Sequence, residues 1–393
     1  MKNKALSLCV VLVCALPTAA FAGPVIQFDY TFDTNGFFDP VLYPGRRDVF
    51  ELAADSVNPF VDKLSEILPS GDNTWSVTFL RPDGGGIAQI VDMSIFPDVI
   101  RVFVGSKNFG NGGVLGQAVS TTVNASGDAD WVNTVRSRGQ DGALLDMAGD
   151  FGPWGGVISF NHNPSKIWHD SKTSEGLDTN EVDLFSVAAH ELAHVFGFGV
   201  SNSFEALVVD GNFTGANAVA DGSATNPTLQ LNPTHEEWLA DTFSETAGAS
   251  SIALMDPFVR FGERKRITEL DLASLVDVGW ESALPGDTDR DRDFDSADLF
   301  NILRANSYNQ GEGFGWSEGD NNGDGYVDSA DLFAILATGL FNQGPYASSP
   351  SLTSDLLSGH MTVTPEPDSL VLAILGALSL AGLYWRRRRT KAA

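Results

Sequence analysis

The chain has 393 residues, 43% of them hydrophobic and 19% charged, which excludes a disordered chain and is ample for a large buried core with accessory segments. Its 51 acidic against 24 basic side chains give a formal net charge of −27, which argues against nucleic acid as a partner and suits an exported protein that binds cations. Both cysteines, Cys9 and Cys14, fall in an N-terminal leader, so the mature chain is expected to have neither disulfides nor thiolate ligands.

Residues 1–22 read as a secretory signal peptide: Lys2 and Lys4, an apolar run from Ala5 to Leu16, then Ala20-Phe21-Ala22 as the cleavage site. Over residues 23–281, short β-like runs alternate with polar loops ahead of one apolar helix, the pattern of an α+β domain with a twisted mixed sheet above its site. Ile26 to Phe32, Val99 to Val104 and Val157 to Phe160 predict strands. Val49 to Leu68 has helical spacing, with Pro59 as a break or kink.

The apolar helix runs from Val182 through Val195 and contains His190-Glu191-Leu192-Ala193-His194. Residues four apart on a helix are only about 40° apart around it, so His190 and His194 can converge on one ion. Glu191 sits one step round, placed to act as general base toward a water that zinc activates. A polar trio inside an apolar helix is costly without such a partner. Because a catalytic zinc takes three protein ligands and leaves a position for water, a third ligand must come from elsewhere.

Continued to Gly197, this run resembles the metzincin zinc peptidases, whose motif extends to a turning glycine and then to a third ligand. Val200 stands where the compact signature has that ligand. The chain is similar to leishmanolysin-like metzincins, which insert a segment after the glycine and supply the third histidine ahead of a methionine turn. That resemblance makes Gly199 to Pro233 the insert, polar and Gly/Asn/Ser-rich like a surface excursion. It implies His235 as third zinc ligand and Met255, in Ser251 to Pro257, as the apolar floor of the turn. Ile267 to Trp280 reads as the closing helix. A rival ligand is Glu237, which with Asp241 forms the E-x-x-x-D spacing by which thermolysin-like gluzincins supply a carboxylate and its orienting partner. The resemblance covers residues 23–281 and implies an endopeptidase with one catalytic Zn2+, its polypeptide substrate extended along Val157 to Phe160 with His162 nearby.

After Pro285 a 33-residue repeat occupies residues 285–342. Loop positions 1, 3, 5, 7, 9 and 12 are Asp287, Asp289, Asp291, Asp293, Asp295 and Asp298 in the first copy, and Asp320, Asn322, Asp324, Tyr326, Asp328 and Asp331 in the second. Side-chain oxygens at this spacing wrap a hard cation, with a backbone carbonyl from position 7. Both loops, each running into a short amphipathic helix, resemble dockerin type I repeats. The resemblance implies two structural Ca2+ ions and a cohesin-like partner, or else a stabilising stalk. Arg292 stands at position 6 of the first loop, where the turn favours glycine and the second loop has Gly325, so the first site is expected to bind more weakly.

A linker over residues 343–364 leads to a tripartite end at 365–393: Pro365-Glu366-Pro367, the uncharged 17-residue segment Ser369 to Trp385, and Arg386 to Arg389 with Lys391. At about 1.5 Å per residue the apolar segment spans roughly 25 Å, near the ~30 Å hydrocarbon core of a bilayer, so it predicts a C-terminal transmembrane helix with its basic tail cytoplasmic. This end resembles the PEP-CTERM sorting signal of Gram-negative bacteria, which implies export across the inner membrane, recognition by an exosortase-type processing enzyme, and release or surface attachment after transient anchoring. The expectation is thus a secreted or surface-associated zinc endopeptidase. The alternative from another class is a surface binding or structural protein that uses the repeat and keeps a vestigial metal site.

Overall fold

The computed structural model describes residues 23–222 and 228–346; the expected signal peptide, His360 and the expected transmembrane helix at Ser369 to Trp385 lie outside the described residues. Among the described residues no helix is long and apolar enough to cross a membrane. Along the chain run β1 (Val25–Asp29), α1 (Arg46–Ser56), β2 (Thr74–Leu80), β3 (Ile87–Val91), β4 (Val99–Lys107), β5 (Gly116–Ala118), β6 (Thr121–Ser126), α2 (Ala129–Ser137) and β7 (Gly155–Asn161). Next come β8 (Ile167–His169), β9 (Glu181–Asp183), α3 (Leu184–Val195), α4 (Asn202–Glu205), β10 (Val208–Val209), β11 (Asn212–Phe213) and α5 (Ala216–Gly222). The hairpin β12 (Phe243–Thr246) and β13 (Ala249–Ile252) precedes α6 (Glu269–Val278). The architecture is mixed α+β with open sheets, as expected.

The main sheet has the order β1-β4-β7-β5, with β1, β4 and β7 parallel and β5 antiparallel at the edge. Side-chain alternation along β4 and β7 sends Ile100, Val102, Val104, Ile158 and Phe160 into one core with α1 and α3, and Phe103 and Val157 into another beneath the sheet β3-β2-β6. Burial on both faces is what makes these strands near-continuous apolar runs. It also corrects the substrate-strand expectation. Both hydrogen-bonding edges of β7 are taken, by β4 and β5, so the free edge belongs to β5.

Helix α1 starts earlier than expected and ends ahead of Pro59, whose ring supplies no N–H and disfavours helical backbone at Asn58. The segment after Gly197 is not a loose surface excursion. Phe204, Phe213 and Leu231 are buried in the main core, with the Phe204 and Phe213 rings stacked 4.6 Å apart.

The repeat forms α7 (Ser296–Ala305) and α8 (Ser329–Thr338) around its own small core of Phe294, Ile302, Val327, Leu332 and Ile335. Each helix is capped by its own loop: Asp295 with Asp298, and Asp328 with Asp331, form capping boxes. The unit is ion-paired to the rest of the molecule rather than hung from it. Asp55 on α1 pairs with Arg290 and accepts from the Ser317 N–H and hydroxyl, both at 2.9 Å. Glu312, between the two loops, accepts from Arg266 at 2.6 Å and lies 3.4 Å from Arg264.

Arg264 is the centre of this contact. Its guanidinium, 4% exposed, makes two hydrogen bonds at 2.7 and 3.0 Å to the fully buried Asp183, which caps the N-terminus of α3. The next residue, buried Lys265, pairs with Asp256 at 3.1 Å, just after Met255. Three consecutive cations therefore tie together the start of α3, the Met255 segment and the repeat.

Candidate metal centre

His190, Glu191 and His194 are all buried on α3. The helix stops where Gly197 adopts φ 103°, a left-handed conformation; a Cβ there would also come within 2.7 Å of the Phe151 ring. The chain then folds back so that the Phe198 carbonyl accepts from His194 Nδ1 at 2.9 Å. His190 Nδ1 lies 3.0 Å from the Leu254 carbonyl. With both Nδ1 atoms committed to carbonyls, Nε2 is the ring atom each histidine has left to offer an ion, and His190 Nε2 faces Glu237.

The third residue brought to the pair is Glu237. One donor atom each from His190, His194 and Glu237 lies within 4.8 Å of the others, and Glu237 Oε1 is 3.4 Å from His190 Nε2. Tetrahedral zinc with bonds of ~2.0–2.1 Å separates its donors by roughly 3.4 Å, so this pair already has the spacing that one ion requires. His235 is a correction: it does not join the group. The turn closed by His235 N–H to the Asn232 carbonyl holds His235 at φ 60° and sends its ring toward Gly211 in the β10–β11 hairpin. Two residues on, the bridge between Leu231 and Trp238 restores extended pairing and presents Glu237 to the helix. Nor does Asp241 orient Glu237. It pairs with Arg260 at 2.7 Å, while Asn232 Nδ2 donates to Glu237 Oε2 at 2.8 Å.

Met255 is fully buried, next to the Leu254 carbonyl that holds His190, in a segment organised by Asp271 of α6. That buried carboxylate accepts from Leu254 N–H at 2.8 Å, Met255 N–H at 3.3 Å and Trp238 Nε1 at 2.9 Å, binding the methionine segment and the residue after Glu237 into one unit. Sequence reasoning passed over Asp271; an acid three residues after Thr268, the spacing of a capping box at the start of α6, was the available signal.

Electrostatics agree with a cation site. Burial pushes the Glu191 carboxyl up to about 7, against the pull of His190 and an Ala118 N–H hydrogen bond. Burial and the neighbouring His190 hold His194 down at about 4. Burial alone would depress His190, but its hydrogen bond to Glu237 and the Glu191 charge outweigh this and raise it. Glu237 is lowered, because that hydrogen bond overcomes the burial penalty.

Over the centre passes the edge strand β5. Leu115 and Val119 bond to β7, so alternation turns the backbone of Gly116 and Ala118 outward. A Cβ on Gly116 would come within 2.7 Å of Glu191 Oε1, which explains glycine at that point. His162 does not reach the centre: its Nδ1 bonds Ser106 Oγ at 3.1 Å beside a separate cavity.

The calcium loops have matching internal geometry. Asp287 accepts from Asp291 and Arg292 N–H, both at 3.0 Å, and Asp320 accepts from Gly323 at 2.9 Å and Gly325 at 2.8 Å. At position 12, Asp298 accepts from Asp295 N–H at 2.9 Å and Asp331 from Asp328 N–H at 2.8 Å. Donor oxygens of Asp287, Asp289 and Asp291 lie within 4.8 Å of one another, as do those of Asp293, Asp295 and Asp298. Burial, followed by the facing carboxylates, raises Asp289 and places Asp331 at about 7. Packed acids of this kind would ionise more readily beside a cation.

Residues 363–389 match the PEP-CTERM protein-sorting motif. The chain is therefore of the exported class that carries a sorting signal, bound for surface or extracellular sorting in Gram-negative-type bacteria, and the motif is consistent with recognition by an exosortase-type processing enzyme. No curated protein and no solved structure matches the chain.

Proposed function

We propose that the chain is an exported zinc-dependent endopeptidase of metzincin-like type, with His190, His194 and Glu237 as metal ligands and Glu191 as general base. The observation that carries this is the convergence of the three donors within 4.8 Å, both histidines pinned through Nδ1 and Glu191 beside them in a cleft under a free strand edge. Bound there, zinc would polarise a peptide carbonyl and ease deprotonation of water. The protein supplies the rest. The outward-facing backbone of Gly116 and the Ala118 carbonyl hold an extended peptide as an added strand, while the Ala118 N–H holds Glu191. Glu191, buried beside the metal ligands, takes the proton of the attacking water and passes it to the leaving amine.

The calcium-loop repeat is read as a dockerin-like unit that binds two Ca2+ ions and is built into the enzyme through Asp55, Glu312 and Arg264. Glu191→Gln tests the mechanism: chelator-sensitive cleavage of casein should fall by at least about a thousandfold, the scale of lost general-base catalysis, while zinc content stays near one per chain. Full activity in that variant overturns the mechanism. Wild-type protein that binds zinc yet cleaves nothing leaves the surface-binding reading in its place.

A further inference from the structure

The cleft at the centre holds about 440 Å³ and is walled by Leu115, Val187, Pro257, Phe258 and Phe261, with one cation, Lys166. Its two carboxylates, Glu191 and Glu237, are both committed at the metal centre. Lys166 is half-buried, and its Nζ donates to the Gly112 carbonyl at 2.9 Å and sits 5.8 Å from the Phe261 ring centroid. An ammonium has three donors, so this tether fixes the group and leaves donors to spare. In a chain of net charge −27, no carboxylate among the described residues ion-pairs with Lys166. Apolar walls lower the local dielectric and strengthen whatever anion meets it.

Strand polarity says which part of a peptide that anion belongs to. A peptide that adds to the free edge of β5 antiparallel, as β7 does on the other edge, runs from the Ala118 end toward Gly116, so its residues after the scissile bond enter the Lys166 cleft. The residues before it meet a second cleft lined by Val119, Trp154 and Val195 beside His194. We propose that Lys166 is the specificity-determining residue of this site and selects peptides with an acidic side chain on the C-terminal side of the scissile bond. The inference rests on the peptidase reading above.

The test has two arms on the full chain. In the first, zinc-loaded wild type, Lys166→Met, Lys166→Arg and Lys166→Glu proteins cleave a mixed peptide library. Acidic residues should be enriched about tenfold within the first two positions after the cut, the scale of one charge-assisted hydrogen bond. Lys166→Met should lose the enrichment, Lys166→Arg keep it, and Lys166→Glu favour Lys and Arg. In the second arm, fluorescence anisotropy compares Glu- and Gln-containing versions of one peptide on the Glu191→Gln protein, at low and high salt. The Glu version should bind tighter, and less so in high salt. A cleaved library without acidic enrichment, or enrichment that survives Lys166→Glu, overturns the inference while leaving the peptidase reading intact. An uncleaved library overturns the peptidase reading, and equal binding of the two peptides then overturns the inference on its own.

Discussion

The candidate metal centre and the two acidic repeat loops bring their donor atoms together by opposite means. Each calcium loop gathers its oxygens from twelve consecutive residues, and the backbone N–H groups that hold Asp287 and Asp320 lie within five residues of them. The candidate metal centre draws on α3, on Glu237 more than forty residues later and on the carbonyls of Phe198 and Leu254. A local site is written into spacing. A distributed site is written into the path of the chain, and so depends on packing that joins distant segments.

The largest effect expected from breaking this contrast is at Glu237. Glu237→Ala should lower zinc affinity by at least about a hundredfold, since even outer-shell partners are worth 10–100-fold, while His235→Ala keeps the metal. Zinc-to-protein ratios after dialysis against a weak chelator check this; the opposite pattern would restore His235.

That contrast also marks what the sequence could carry. His190, Glu191, His194 and Gly197 were legible because the helix period brings them together locally, and β1, β4, β7 and α6 because their apolar runs are local too. The third ligand was not, because His235 and Glu237 lie two residues apart and only the left-handed turn at His235 decides which faces α3. The edge strand β5 was missed because Gly116-Gln117-Ala118 has no strand-forming residue; it is a strand only because β7 lies beside it.

Next in size is the clamp that lets the two regions share stability. Arg264→Met leaves Asp183 buried without its cation at the head of α3, and breaking such a pair typically costs about 3–5 kcal/mol. Urea unfolding should show that loss, together with weaker zinc retention. An unchanged midpoint would mean that the repeat and the metal helix are energetically separate.

A pH series separates the regions from the calcium side. Burial and facing carboxylates place Asp289 and Asp331 at about 7, and burial places Asp287 at about 6, all above the ordinary value of about 4. With raised folded values, the folded chain holds protons that the unfolded chain has released between about pH 4 and 7. The contribution of these three acids to stability in EDTA is therefore fully present below about pH 4 and lost as pH rises through about 7, alongside raised acids outside the repeat such as Asp62 and Glu269 that calcium does not address. Calcium takes the place of those protons, so the thermal midpoint should fall with pH in EDTA and hold in millimolar calcium. A midpoint in EDTA that is flat over this range would remove the repeat as a cation site.

The smallest effect distinguishes the two loops. Positions 4 and 6 are left-handed in both: Arg290 at φ 62° and Arg292 at φ 73° in the first, Gly323 at φ 78° and Gly325 at φ 83° in the second. Left-handed backbone costs a side chain about 1 kcal/mol or more, so the first loop carries strain that the second does not. What offsets it is the reach of those arginines to Asp55 and Glu281, which seats the loop on the rest of the molecule. Glu281 is 40% exposed, so the Arg292 pair is worth at most ~1 kcal/mol, close to the strain it accompanies. Arg292→Gly should therefore leave overall stability nearly unchanged and, by removing a cation from the loop, raise calcium affinity there by up to about fivefold in a calorimetric titration. The reverse exchange, Gly325→Arg, places a Cβ against the Arg266 guanidinium and should weaken the second site. If Arg292→Gly instead lowered calcium affinity, the arginine would be part of how the first loop is held open for its ion, and its cost a feature of the site.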